Sequence, residues 1–265
     1  MNTSENNKCS INISYTPGPI KVTKASAQLA PFTNELKLLR LPRDVNNPIY
    51  YLNSSFSAEE VKEILRRFSA VYHTWAEARF NLAIAQLKNY PLFLSEDSDT
   101  ESHLWITTVF LNSSIIAYQS LFDLILQVSW VYYKLYSNFQ VSKSDPTKLS
   151  VTTENIDIIM RKCKWESILK YKSILDSQYW NLLSTFKDTE TYNRVNELAN
   201  SLKHRYNINY EEIAIDEQLL VQGQNYNSAD TLSYENIDKV IKELKDYHKE
   251  IYAIIKSMVE THTLT

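Results

Sequence analysis

The chain has 265 residues, 44% of them hydrophobic, and a formal charge of −3. Its size and apolar content suffice for one substantial core, which excludes a disordered tail. The negative balance excludes a globally basic nucleic-acid binder, so any polyanion site must be a local patch.

Only two glycines occur, and five of the seven prolines lie at Pro17, Pro19, Pro31, Pro42 and Pro48, so the rest of the chain is almost free of helix breakers and long helices are expected. Residues 1–56 read as an irregular arm. The brief alternation of Ile11, Ile13 and Tyr15 before Thr16-Pro17-Gly18-Pro19 is compatible with one short strand there. Ser57-Ala58-Glu59-Glu60 has the form of a capping box and opens the first long helix. Its apolar face runs through Val61, Ile64, Leu65, Phe68, Val71, Tyr72, Trp75, Ala78 and Leu82, and Asn89-Tyr90-Pro91 is the expected end. The acidic stretch Ser95–Glu101 has almost nothing to bury and reads as a connection.

From Leu104 to Tyr133 the only charged residue is Asp123. Length and apolarity would permit a membrane span, but Asn112, Ser113, Ser114, Gln119, Asp123 and Gln127 interrupt the run, and its many aromatic residues suit a packed interior. A central bundle helix is the better reading. Asn112, Gln119 and Asp123, spaced seven and then four apart, share one face, and a buried polar seam is expected. An ionised carboxylate there needs a partner such as Tyr, Arg or Lys from another helix.

After Lys143-Ser144-Asp145-Pro146 helical periodicity resumes near Glu154, giving one or two helices up to Phe186, with a bend near Trp165. Within this region Arg161–Lys172 holds five cations and one Glu, enough to supply a local polyanion patch; its plain reading is a solvated helix face. Asp188 is the candidate N-cap of the next helix. On that helix Val195, Leu198, Ala199, Leu202 and Tyr206 make an apolar stripe, while Asn193, Glu197, Asn200 and His204 line up nearly opposite, flanked by Arg194, Lys203 and Arg205. Residues 207–232 lose helical periodicity, although Ile208, Tyr210, Ile213 and Ile215 can pair as short strands, with the N-terminal arm as one partner. Ser233 starts the last helix, with Ile237, Val240, Ile241, Leu244, Tyr247, Ile251, Ile254, Ile255 and Met258 on its face.

Cys9 and Cys163 are too few and too distant for a disulfide framework or a thiolate site, and the five histidines show no tight ligand spacing. No metal and no cofactor are expected. The polar residues Met1–Ser10 do not form a secretory leader, so a cytoplasmic location without a membrane partner is expected. The fold expected is all-α: an up-and-down antiparallel bundle over 57–262, with the irregular arm before it and the 207–232 insertion before the last helix.

Two segments carry a resemblance. Phe110–Asp123 is an apolar helix with embedded Asn and Asp, and Tyr192–Arg205, containing Asn200-Ser201-Leu202-Lys203-His204-Arg205, is a late polar-faced helix. In this order they resemble the HEPN superfamily, the helical-bundle domains of many prokaryotic RNases, toxin–antitoxin and abortive-infection proteins. Active members carry an Arg, then a polar residue, then His after a short gap. They act as homodimers and cleave RNA without metal.

The resemblance implies a metal-independent endoribonuclease in which His204 is the acid–base group, Arg194 holds the phosphate and Asn200 assists, with Lys203, Arg205, Glu197 and Asn193 contacting substrate. It also implies a homodimer, with RNA and a cognate antitoxin or other protein as partners. A histidine of ordinary pKa exchanges protons at neutral pH, and Arg offers a permanent forked charge to phosphate. The chain departs from that pattern: Val195 follows the Arg, and ten helical positions put Arg194 and His204 about 15 Å apart and roughly 80° out of phase. The compact trio Asn200, Lys203 and His204 places Asn where active members have Arg. A non-catalytic dimerisation or protein-interaction module is the alternative.

Overall fold

The computed structural model describes residues 56–87, 99–138, 151–204, 208–213 and 234–263. They form an all-α architecture of seven helices with one two-stranded parallel pair. The predicted arm, apart from Phe56, lies outside the described residues, as do the Asn89-Tyr90-Pro91 stop, the Lys143–Pro146 loop and most of the 207–232 insertion.

Helix α1 (Ala58–Ile84) starts at the predicted capping box: the Ser57 hydroxyl accepts from Glu60 N–H, and the Glu60 carboxylate accepts from Ser57 N–H at 2.6 Å. Helix α2 (Thr100–Tyr132) is the long apolar segment, 33 residues capped by Asp99. The partners across the pair fall in number as α1 advances. Glu60 meets Tyr136, Arg67 meets Gln127, and the buried Ser114 hydroxyl donates to the Ala78 carbonyl at 2.9 Å. The two helices are therefore antiparallel.

The stretch from 154 to 187, predicted as one or two helices, is instead three: α3 (Ile156–Arg161), α4 (Trp165–Lys170) and α5 (Ser177–Lys187). Ile159 and Ile168 are both fully buried. Nine residues apart on one straight helix they would face about 180° away from each other, so the chain breaks between them to bring both to the core. The Trp130 indole fixes the first piece by donating to the Ile159 carbonyl at 3.1 Å.

Helix α6 (Glu190–His204) begins one residue later than the sequence suggests. Thr189, not Asp188, caps it by accepting from Tyr192 N–H at 3.1 Å, while Asp188 closes α5. Strand β1 (Asn209–Tyr210) follows and pairs with β2 (Tyr234–Glu235) in parallel, Asn209 opposite Tyr234. Extended backbone at 234–235 delays the last helix, α7 (Ile237–Thr263), whose cap is Asn236 rather than Ser233: its side chain accepts from Lys239 N–H at 3.0 Å.

Trp75 stacks on His248 and Phe68 meets His262, so α7 runs antiparallel to α1; Tyr118 bonds His248 and Tyr132 meets His262, so it runs parallel to α2. Thr191 bonds Glu250 while Arg194 bonds Glu243, making α6 antiparallel to α7. The order α1, α2, α6, α7 is thus up and down, as expected. Three of the described helices are long, and the fragmented 156–187 segment takes the place of a further one.

Lys134 ends α2 in the left-handed region, at φ 51°. Glycine usually takes this post because a Cβ there costs about 1 kcal/mol or more. Here the Lys134 ammonium offsets that cost, lying 3.3 Å from the Glu60 carboxylate and 4.9 Å from the centre of the Phe56 ring. Burial alone would raise the Glu60 pKa, but hydrogen bonds from Tyr136, Ser57 N–H and Lys134 override it and hold the carboxyl below its ordinary value.

His262 closes the other end of α7 inside a box formed by Phe68, Tyr132, Tyr133 and Tyr179, with ring centres 4.2 to 6.2 Å away. Its Nδ1–H donates to the Met258 carbonyl at 2.6 Å, while Nε2 has no hydrogen-bond partner among the described residues. Burial lowers its pKa from 6.5 to about 3. Below pH 6.5 the unfolded chain takes up a proton there that the folded chain refuses until about pH 3, so this residue makes stability fall as pH drops through that window. His262→Phe is expected to recover about 2 kcal/mol of the stability lost between pH 7 and pH 5. Urea denaturation of both proteins at the two pH values measures it; equal losses would show that His262 is not the acid-sensitive group.

Candidate functional site on helix α6

Helix α6 separates its two stripes as its sequence requires. Val195, Leu198 and Ala199 are buried against the bundle and Leu202 is half-buried, whereas Asn193, Glu197, Asn200, Lys203 and His204 are exposed. The Thr189 and Thr191 hydroxyls, 3.2 and 3.0 Å from the Glu250 carboxylate, tie the start of the helix to α7. Arg205 and Tyr206 lie outside the described residues.

Arg194 is not available at the surface in the way the resemblance implies. Its Nε donates to Glu243 at 3.2 Å, Nη1 to Glu197 at 3.1 Å and Nη2 to Glu235. Partial burial works against the charge, yet these three carboxylates raise its pKa above the ordinary arginine value. All three guanidinium nitrogens are engaged, and the side chain bridges α6, β2 and α7. The site residue expected to grip phosphate is thus a tie between elements, with its charge already more than neutralised.

The α2 residues expected as a buried seam form a half-open rim beside α6 instead. Asn112 is half-buried and its Oδ1 accepts from the Tyr210 hydroxyl at 2.7 Å, which anchors β1 to α2. Gln119 accepts from the Lys203 ammonium at 2.6 Å. Asp123 is exposed rather than core. Protein crowded around its carboxyl nevertheless raises its pKa, while the charges of Lys203 and Lys187 act in the opposite direction. The expected cationic partner from another helix is therefore present as two nearby lysines. Lys187 itself sits over the Tyr192 ring, 4.3 Å from its centre. The seam is displaced from the core because α6 covers only part of α2, so this edge of α2 stays in contact with water.

The structure brings together Asn200, Lys203 and His204 on one exposed turn, with Gln119 and Asp123 beside Lys203. Arg194 and Glu197 belong to a separate carboxylate-rich cluster. One imidazole with an ammonium and an amide can bind an anion or a polar partner surface. It does not by itself supply the two proton-transfer groups that RNA cleavage employs. Among the described residues, no group of three or more His, Cys, Asp or Glu side chains is arranged to hold a metal ion.

Glu235, Glu243, Lys187 and Tyr210 have no motif-level signature, and their place around α6 follows from tertiary contact alone. His248 and His262, buried in α7, also escape sequence reasoning, since only their helical register with Ile251, Ile255 and Met258 points inward. Comparison of the chain with protein-family models, curated proteins and solved structures gives no match.

Removing the fork should expose its structural role. Arg194→Gln takes the shared cation from Glu235 and Glu243, both largely buried, and leaves Glu243 only the Lys239 ammonium at 3.9 Å; it is expected to cost about 2 to 3 kcal/mol in chemical denaturation. Adding Glu243→Gln should return part of that loss in a double-mutant cycle. Unchanged stability in the single variant would free Arg194 for a ligand-binding role.

Proposed function

We propose that this chain is a HEPN-like helical-bundle protein of a defence or toxin–antitoxin system, whose exposed α6 face binds a protein partner or a second copy of the chain without cleaving RNA. The observation that carries this reading is the state of Arg194. A phosphate arriving there would have to displace carboxylates from a guanidinium that they already surround. The remaining polar groups, Asn200, Lys203 and His204, are exposed on one turn, as suits a recognition surface. The all-α up-and-down order is consistent with the superfamily resemblance.

A second reading keeps the metal-independent endoribonuclease. It is favoured by the position of Lys203 and His204 on the same turn, which offers one cation and one acid–base group without Arg194. A composite site across a homodimer would then have to supply the second proton-transfer group.

An RNA cleavage assay in EDTA with purified wild-type protein and His204→Ala separates the two. Under the recognition reading neither protein cuts any of a varied RNA set. His204→Glu is then expected to weaken self-association or capture of the cognate partner by about tenfold, with no change in denaturation midpoint. Cleavage by the wild type alone, leaving 2′,3′-cyclic phosphate ends, would overturn it in favour of the nuclease.

A further inference from the structure

A different surface, outside the α6 face and independent of the reading above, concentrates two unusual features. Residues 156–174 cross the outside of the bundle as α3, α4 and a short 3-10 turn, held down by the buried Ile159 and Ile168. Everything opposite those anchors faces water. Arg161, Lys162, Lys164, Lys170 and Lys172 are all exposed, and none is in an ion pair with another described residue. Elsewhere most of the described cations are paired: Arg66, Arg67, Lys134, Arg194 and Lys239 are each matched to a carboxylate, while Lys187, Lys203 and Lys242 are in no ion pair with another described residue. Of the two acids in the segment, Asp157 lies in the field of Arg66, leaving Glu166 as the one local counter-charge.

The same short segment displays three large aliphatic side chains in water, Ile158 at 40%, Leu169 at 44% and Ile174 at 46% exposure. Ile158, Arg161 and Lys162 fall at i, i+3 and i+4, so aliphatic and cationic groups share one turn of α3. Leu169 and Ile174 are likewise interleaved with Lys170 and Lys172.

We propose that the outer face of residues 156–174 is a peripheral docking surface for an anionic lipid bilayer. Unpaired lysines and arginines gain most from a surface of fixed negative charge, and lysine stems lie along the apolar boundary while their ammonium groups reach the headgroups. Isolated Ile and Leu side chains gain from entering the acyl boundary just beneath. Single-stranded nucleic acid shares the charge requirement but needs flat platforms for its bases. The aromatic pair available, Trp165 and Trp180, is stacked on itself at 5.3 Å with both rings half-buried, and the exposed apolar groups of the segment are aliphatic. The bilayer accounts for both features; a nucleic acid accounts for one. Such contact departs from the absence of a membrane partner expected from the sequence, but it is peripheral and leaves α2 within the bundle.

The test is co-sedimentation of the full chain with vesicles of mixed phosphatidylserine and phosphatidylcholine and, in parallel, of phosphatidylcholine alone. Binding is expected to the anionic vesicles only and to weaken as salt is raised. Each cation contributes about fivefold at such a surface, so Arg161→Glu with Lys162→Glu should reduce affinity by more than about 20-fold. Leu169→Ser with Ile174→Ser should reduce it by about tenfold or more even though no charge changes. All four positions are exposed, and unchanged circular dichroism checks that the variants fold. Absence of binding to anionic vesicles overturns the proposal, as does full binding by the aliphatic variant. Binding to a single-stranded RNA oligonucleotide that depends on Arg161 and Lys162, without vesicle binding, would assign the patch to nucleic acid instead.

Discussion

The structure depends on covering α2. For 33 residues this helix carries apolar groups around most of its circumference, and between Leu104 and Tyr133 it has a single charge. Such a helix gains stability only by burial on several sides at once. Helix α1 takes one side, α7 another and α6 a third, while α3 and α4 lie over its C-terminal half through Trp130 and Ile159. Each cover also carries a polar tie that only a particular register satisfies: Ser114 to the Ala78 carbonyl, Tyr118 to His248, and Asn112 to Tyr210. Apolar area supplies the drive, and these buried or half-buried hydrogen bonds select one arrangement, because each would leave an expensive orphan if the helices slipped.

Charge is handled in the same spirit. Glu60 and Glu63 are buried, and each is surrounded by donors: Ser57, Lys134 and Tyr136 for the first, Arg66 and Arg67 for the second. Arg194 is the counterpart at the other side of the bundle, one cation among three carboxylates joining α6, β2 and α7. Against that background the cations of the 156–174 excursion stand out, since none is in an ion pair with another described residue.

On helix α6 the polar face is legible as a face, while the surroundings of each residue on it are not. Exposure of Asn193, Glu197, Asn200 and His204 follows from their phase relative to Val195 and Leu198. The role of Arg194 does not, because its three partners come from the same helix, from a strand forty-one residues on and from the last helix. Nothing in the letters around Arg194 announces the carboxylates of β2 and α7 that converge on its guanidinium.

Periodicity, capping chemistry and the scarcity of glycine were enough to determine the all-α class, the start of α1 at Ser57, the apolar faces of α1, α2, α6 and α7, and the separation of polar from apolar stripes on α6. These are local properties, set by the 3.6-residue repeat and by backbone groups a few residues apart. Tertiary structure decided what depends on distant partners. It broke the 156–187 segment so that Ile159 and Ile168 could both reach the core, moved the helix caps to Thr189 and Asn236, and paired β1 with β2. It also lifted Asp123 out of the interior and closed three carboxylates around Arg194. Burial and charge pairing are properties of neighbours in space, and a single chain of letters records a residue's own chemistry but not which side chains will be brought against it.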